Sequence, residues 1–153
     1  MKTVAIVDTS IFCNVLDIPG KNESKEVVYK QFKKYIERND SLLLPMATIY
    51  ETGNHIAQIK MVDGNKRRKV AERFVKQVRD AIDGESPWQA MQIPTKKEVS
   101  SWLSDFPMSA SSKKSMGDLS IIKEWEKMCG LLPHQRIFIW ALDTDLQGYD
   151  SGK

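Results

Sequence analysis

Cysteine is scarce. Cys13 and Cys129 are the only two in 153 residues, and neither belongs to a Cys-x-x-Cys pair. That spacing excludes a disulfide-built scaffold and a cysteine zinc site, and it leaves two reduced thiols whose expected role is core packing in a cytoplasmic chain. Long apolar runs are also missing: nothing approaches the roughly twenty residues needed to span a bilayer, so no membrane partner is expected. Residues 1–10 (MKTVAIVDTS) reach Asp8 too soon to form an export signal. A strong excess of one charge is absent too. The net charge of +3 and isoelectric point near 8.8 permit nucleic-acid binding without requiring it.

What is present reads as one globular domain over residues 1–153, with 41% hydrophobic and 28% charged residues and no internal repeat or linker. The apolar run TVAIV ends at Asp8, as a buried strand does when it feeds a polar loop. Residues 24–38 place Val28, Phe32, Tyr35 and Ile36 at helical spacing, with lysines opposite. Residues 41–44 (SLLL) predict a second buried strand, closed by Pro45 at the head of a helix carrying Ile49, Ile56 and Ile59. After the Asp63-Gly64 turn, Val70, Phe74, Val78 and Ile82 recur down a long basic helix that ends at Gly84. Residues 85–94 show no period. Thr95 and Glu98 match a capping box for a short helix burying Val99, Trp102 and Leu103. Residues 107–115 (PMSASSKKS) predict a flexible basic loop, followed by a helix with Leu119, Ile122, Trp125 and Met128 inward and Gly130 at its end. Residues 136–142 (RIFIWAL) form a last buried strand running into Asp143. Strands alternating with helices imply a parallel sheet covered by helices, an α/β fold, with 61–115 as a helical elaboration inside it.

In such sheets the cleft lies beyond the carboxyl ends of the strands, where Asp8 and Asp143 both stand. Glu51, in the second turn of the helix after strand two, and Asp118, opening the helix after the serine-rich loop, lean over the same rim. Several ionised carboxylates share a small site only with raised pKa values or a cation, and oxygen ligands suit Mg²⁺ or Mn²⁺. A divalent ion there would activate water and neutralise a leaving oxygen, which points to phosphodiester hydrolysis.

Four segments in this order, VDTSIF around Asp8, LLLPMATIYETGNHI around Glu51, GDLSIIKEW around Asp118 and IWALDTDLQGYD around Asp143, resemble the PIN-domain nucleases, a family that includes the VapC-like toxins. The resemblance implies a three-layer α/β/α fold with a central parallel sheet and a metal-dependent endoribonuclease acting on RNA with Mg²⁺ or Mn²⁺. It makes Asp8 the main metal ligand, Glu51 and Asp118 further ligands or water-orienting groups, and Asp143 the last acid, with Asp145 two residues on as the alternative. Thr9 or Ser10 would steady the Asp8 loop. Those two, with Asn54, Lys113 and Lys114, make up the expected substrate-binding set. By family analogy the chain would be the toxin of a toxin–antitoxin pair, with a cognate antitoxin and a homodimeric form. One departure is that the family's Thr-x-Asp at the last motif is Ala141-Leu142-Asp143 here.

Each acid also has a purely structural explanation. Asp8 suits a helix N-cap, Thr48 and Glu51 are spaced as a capping box, and Asp118 can complement a helix dipole. His55 shares a helical face with Glu51, although a lone histidine there is more often packing or surface. The cluster Lys66, Arg67, Arg68 and Lys69 reads as a wet face, and most of Trp88, Trp102, Trp125 and Trp140 as core. A haloacid-dehalogenase-like phosphatase needs an Asp where Ser10 stands, and a receiver domain needs one where Pro45 stands. The rival that remains is a PIN-like module that binds RNA or protein without cutting, and a DNA-directed nuclease ranks behind the ribonuclease.

Overall fold

The computed structural model describes residues 2–152. Strand β1 (Thr3–Val7) leads into helices α1 (Thr9–Val15) and α2 (Lys25–Glu37). Strand β2 (Ser41–Leu44) is followed by α3 (Met46–Ala57) and the long α4 (Gly64–Asp83). Strand β3 (Trp88–Ala90) precedes α5 (Lys96–Ser111) and α6 (Met116–Leu131), and β4 (Arg136–Trp140) ends in the one-turn α7 (Thr144–Gln147). The four strands form one parallel sheet in the order β3-β2-β1-β4.

Pleating sorts the apolar strands into two faces. Ala5, Val7, Leu42, Leu44, Phe138 and Trp140 pack under Phe12, Val28, Ile56 and Val70, from α1 through α4. Val4, Ile6, Leu43, Ile137 and Ile139 pack on Ile121 and Ile122 of α6. Both faces of β1 are therefore covered, which is why its sequence is uniformly apolar instead of alternating. The α/β/α layering follows, with α5 lying on α6.

Several expectations need correction. The aperiodic stretch 85–94 contains β3, so 61–115 is not wholly helical: it supplies the edge strand beside β2. Trp88 in that strand is 1% exposed, stacked on Phe32 at 4.8 Å and edge-on to Phe12 at 5.4 Å. The expected loop over 107–115 begins only at Ser112, because α5 continues through Pro107 to Ser111. Gly130 does not end α6, which runs to Leu131. Ile36, Ile82 and Leu103 are exposed instead of inward, and Ala81 takes the buried place beside Val78. The Thr95–Glu98 capping box is present.

The free edge of β4 is occupied by residues that follow α7. The Ile139 N–H donates to the Tyr149 carbonyl at 3.0 Å and the Ser151 N–H to the Ile137 carbonyl at 2.9 Å, an antiparallel return. Arg136 clamps the same segment through two hydrogen bonds to Asp150, at 3.1 and 2.8 Å. Among the described residues no helix is long and apolar enough to cross a membrane.

Candidate carboxylate site

Successive connections leave β1 toward β2 on one side, and β4 lies on the other, so the sheet has its topological switch between β1 and β4. Asp8 emerges at that point. Its N–H donates to the Trp140 carbonyl at 3.0 Å, extending the pairing of β1 with β4 by one residue and fixing where the acid leaves the sheet. Asp8 is 7% exposed, and it caps α1: its Oδ2 accepts from the Ser10 N–H at 3.2 Å and from the Ser10 hydroxyl at 2.7 Å. Ser10 Oγ in turn accepts from the Leu142 N–H at 3.1 Å. One hydroxyl thus joins the loop carrying Asp8 to the loop carrying Asp143.

Glu51 is not part of a capping box. Pro45 caps α3, and the Thr48 hydroxyl turns inward to donate to the Val7 carbonyl at 2.7 Å, tying α3 to the end of β1. The Glu51 carboxylate instead accepts from the Thr9 hydroxyl at 2.8 Å. It also lies against the first turn of α6, so close that a Cβ on Gly117 would meet Oε1 at 2.1 Å. Gly117 therefore lets Glu51 reach the neighbourhood of Asp118, a role the sequence gives no direct sign of.

Asp118 sits in the first turn of α6, whose N-cap Ser115 accepts from the Asp118 N–H at 3.0 Å. Burial pushes the Asp118 carboxyl above its ordinary range, and the charge of Asp8 adds to that push; hydrogen bonds from Ser115 oppose it, and Asp143 raises it further. Asp143 caps α7, accepting from the Asp145 N–H at 2.9 Å. Asp143 and Asp145 are both exposed, and the Asp145 N–H bonds back to Asp143.

No family model matches this chain, and no curated protein sequence matches it.

No three His, Cys, Asp or Glu side chains among the described residues already surround a point where a metal ion would sit. The donor set nonetheless fits a hard divalent cation. Asp8, Glu51, Asp118 and Asp143 offer only oxygen, and among the described residues none of them has a lysine or arginine in ion-pair contact. The charges of Asp8 and Asp143 both act to raise the proton affinity of Asp118, a repulsion that a cation would relieve.

The expected substrate residues are dispersed. Thr9 and Ser10 are engaged with the carboxylates as above. Asn54 is exposed on α3. Lys113 adopts a left-handed conformation at φ 64°, and Lys114 is drawn to Tyr149, donating to its hydroxyl at 3.2 Å with the ammonium 5.7 Å from the ring centre. Arg67 is committed to the α3–α4 connection, donating to the Val62 carbonyl at 2.8 Å, and Arg68 pairs with Glu72. Cys13 is a packing residue whose thiol burial pushes up to about 11, far from a reactive thiolate.

Sequence reasoning passed over Asn14 and Lys21. Asn14 is buried, donates to the Ser10 carbonyl at 2.7 Å and accepts from the Ser24 N–H at 3.0 Å, bracing α1 against the start of α2. Its place one helical turn after Ser10 was the available signal. Lys21 lies in the connection between those helices and lines a cleft shared with Thr9, Ser10 and His55. No local pattern distinguishes it from the other lysines.

Proposed function

We propose that the chain is a metal-dependent nuclease, and specifically a ribonuclease, working at the rim formed by Asp8, Glu51, Asp118 and Asp143. The observation that carries this reading is the approach of the Glu51 carboxylate to the first turn of α6, where the charges of Asp8 and Asp143 also act on Asp118, with no basic side chain paired to these acids among the described residues. The ordered resemblance of the four segments that carry these acids to PIN-domain nucleases also supports it.

In this reading Asp8 is the central ligand. Its Oδ2 is held by both the N–H and the hydroxyl of Ser10. Asp118 and Asp143 would complete the oxygen set from α6 and from the loop after β4. Glu51, held by Thr9, is positioned to accept a hydrogen bond from a water aligned with the scissile phosphorus. Bound Mg²⁺ or Mn²⁺ would supply the charge that acidifies a water and neutralises the departing oxygen. The carboxylates then have two tasks, holding the ion and orienting the proton-bearing water.

The test is cleavage of labelled RNA and single-stranded DNA by purified protein in Mg²⁺ or Mn²⁺, with EDTA and Asp118→Asn as controls. Metal-dependent cutting of RNA is expected, reduced at least about 100-fold in the variant. A toxin would also arrest growth on expression, with Asp8→Asn relieving the arrest. A second reading, a module that binds RNA or protein without cutting, is favoured by one observation: the acids do not form a ready-made ligand cage. RNA binding without cutting in either metal would decide for it. A cognate antitoxin and a homodimer remain part of the toxin proposal.

A further inference from the structure

A cleft of about 400 Å³ opens beside Asp8, and its lining includes Thr9 and Ser10, the two residues that hold Glu51 and Asp8. It therefore adjoins the carboxylate rim through the two side chains that hold those acids. Its floor is firm: Cys13 and Asn14 are buried, and Asn14 is hydrogen-bonded on both its amide nitrogen and its carbonyl. Its lining is mixed. Leu142, 37% exposed, contributes an apolar surface next to Asp143. Lys21 and His55 also line it, neither in an ion pair among the described residues, and Glu23 is the one acidic side chain in the described lining.

We infer that this cleft is a nucleotide subsite, in which Lys21 and His55 hold the phosphate next to the one being attacked while the base lies against Leu142. The inference rests on the nuclease reading above. The cleft's size falls in the range of small-ligand sites, roughly 300–1,000 Å³, which suits one nucleotide and not a duplex. Acids that repel a polyanion need a cation nearby to bring it in, and Lys21 supplies one in this cleft. Lys21 and His55 belong to the layer of α1 to α4. Lys114 stands with Tyr149, which packs against the opposite face of the sheet.

The test is fluorescence anisotropy of a labelled eight-nucleotide single-stranded RNA with the intact chain in EDTA, so that binding is read without cutting, as a function of salt. Lys21→Gln combined with His55→Gln is expected to raise Kd about tenfold and to lower the slope of log Kd against log salt by about one, the loss of the Lys21 charge. Glu23→Gln, which removes the opposing charge from the same cleft, should tighten binding two- to threefold and shows that substitution here leaves a folded protein. Unchanged affinity and slope in the double variant, or no binding by the parent protein, would overturn the inference. Cleavage in Mg²⁺ or Mn²⁺, read in parallel, separates the two ideas. Binding that depends on Lys21 without any cutting removes the nuclease reading and keeps the cleft, whereas cutting with KM unmoved by the double variant removes the cleft alone.

Discussion

The Ser10 hydroxyl is shared between loops that leave β1 and β4, strands separated by most of the chain. It donates to Asp8 and accepts from Leu142, so deleting it frees the Asp8 carboxylate to rotate and leaves a backbone N–H without its partner. Ser10→Ala should cost about 1–2 kcal/mol by thermal or urea unfolding. On the proposed function it should also lower RNA cleavage ten- to a hundredfold, and a variant that unfolds like the parent and cuts as fast would show that the bridge is dispensable. Individual acids were legible in the sequence because each follows an apolar strand or opens a patterned helix. The structure brings Asp8, Asp118 and Asp143 within electrostatic reach of one another. Partners were not legible. That Thr9 serves Glu51 while Ser10 serves Asp8 depends on side-chain direction at the head of α1, which spacing does not encode.

Gly117 shows how an element's backbone governs a side chain on another element. In a helix, Ala is favoured over Gly by about 1 kcal/mol, yet a Cβ here would displace only the end of the flexible Glu51 side chain. Gly117→Ala is therefore expected to keep or slightly raise the melting temperature while moving Glu51 off Thr9 and slowing cleavage at least tenfold. Loss of stability in step with activity would refute that separation. Pro107 is a different case. It sits inside α5, where it removes one helical hydrogen bond, and its exposure means no packing compensates. Pro107→Ala should stabilise the protein by about 1–3 kcal/mol in denaturant unfolding; a neutral result would mean that the helix is already bent to absorb the ring. The same proline explains why a loop was expected from residue 107: local preference argued for a break, and packing of α5 on α6 overrode it. Strand β3 was missed for the opposite reason. Trp-Gln-Ala is too short to show alternation, and only its pairing with Leu42, Leu43 and Leu44 makes it a strand.

At the scale of the whole molecule, one poorly compensated acid among the described residues lies away from the carboxylate rim. Glu124 of α6 is 5% exposed, and its Oε1 has no hydrogen-bond partner. Burial raises its pKa above the ordinary 4.5; Lys127 opposes that rise, but it is also bonded to Glu98 at 2.8 Å. Above pH 4.5 the folded protein therefore binds more protons at this position than the unfolded chain does. The sign follows: Glu124 makes stability fall as pH rises from that value through the elevated folded pKa. Glu124→Met should be about 1–2 kcal/mol more stable than the parent at pH 7, with the difference vanishing near pH 4. A difference independent of pH would mean that volume, and not charge, is responsible.

The return of the chain along β4 has a kinetic side. Residues 141–148 leave the strand at Trp140 and are re-anchored on it at Tyr149, so the segment bearing Asp143 is a short closed loop pinned to one rigid rod at both ends. Its ordering entropy is spent when the domain folds. Whatever this rim binds meets a loop whose two ends are already fixed on β4, by a pair of ladder hydrogen bonds and by the Arg136–Asp150 clamp.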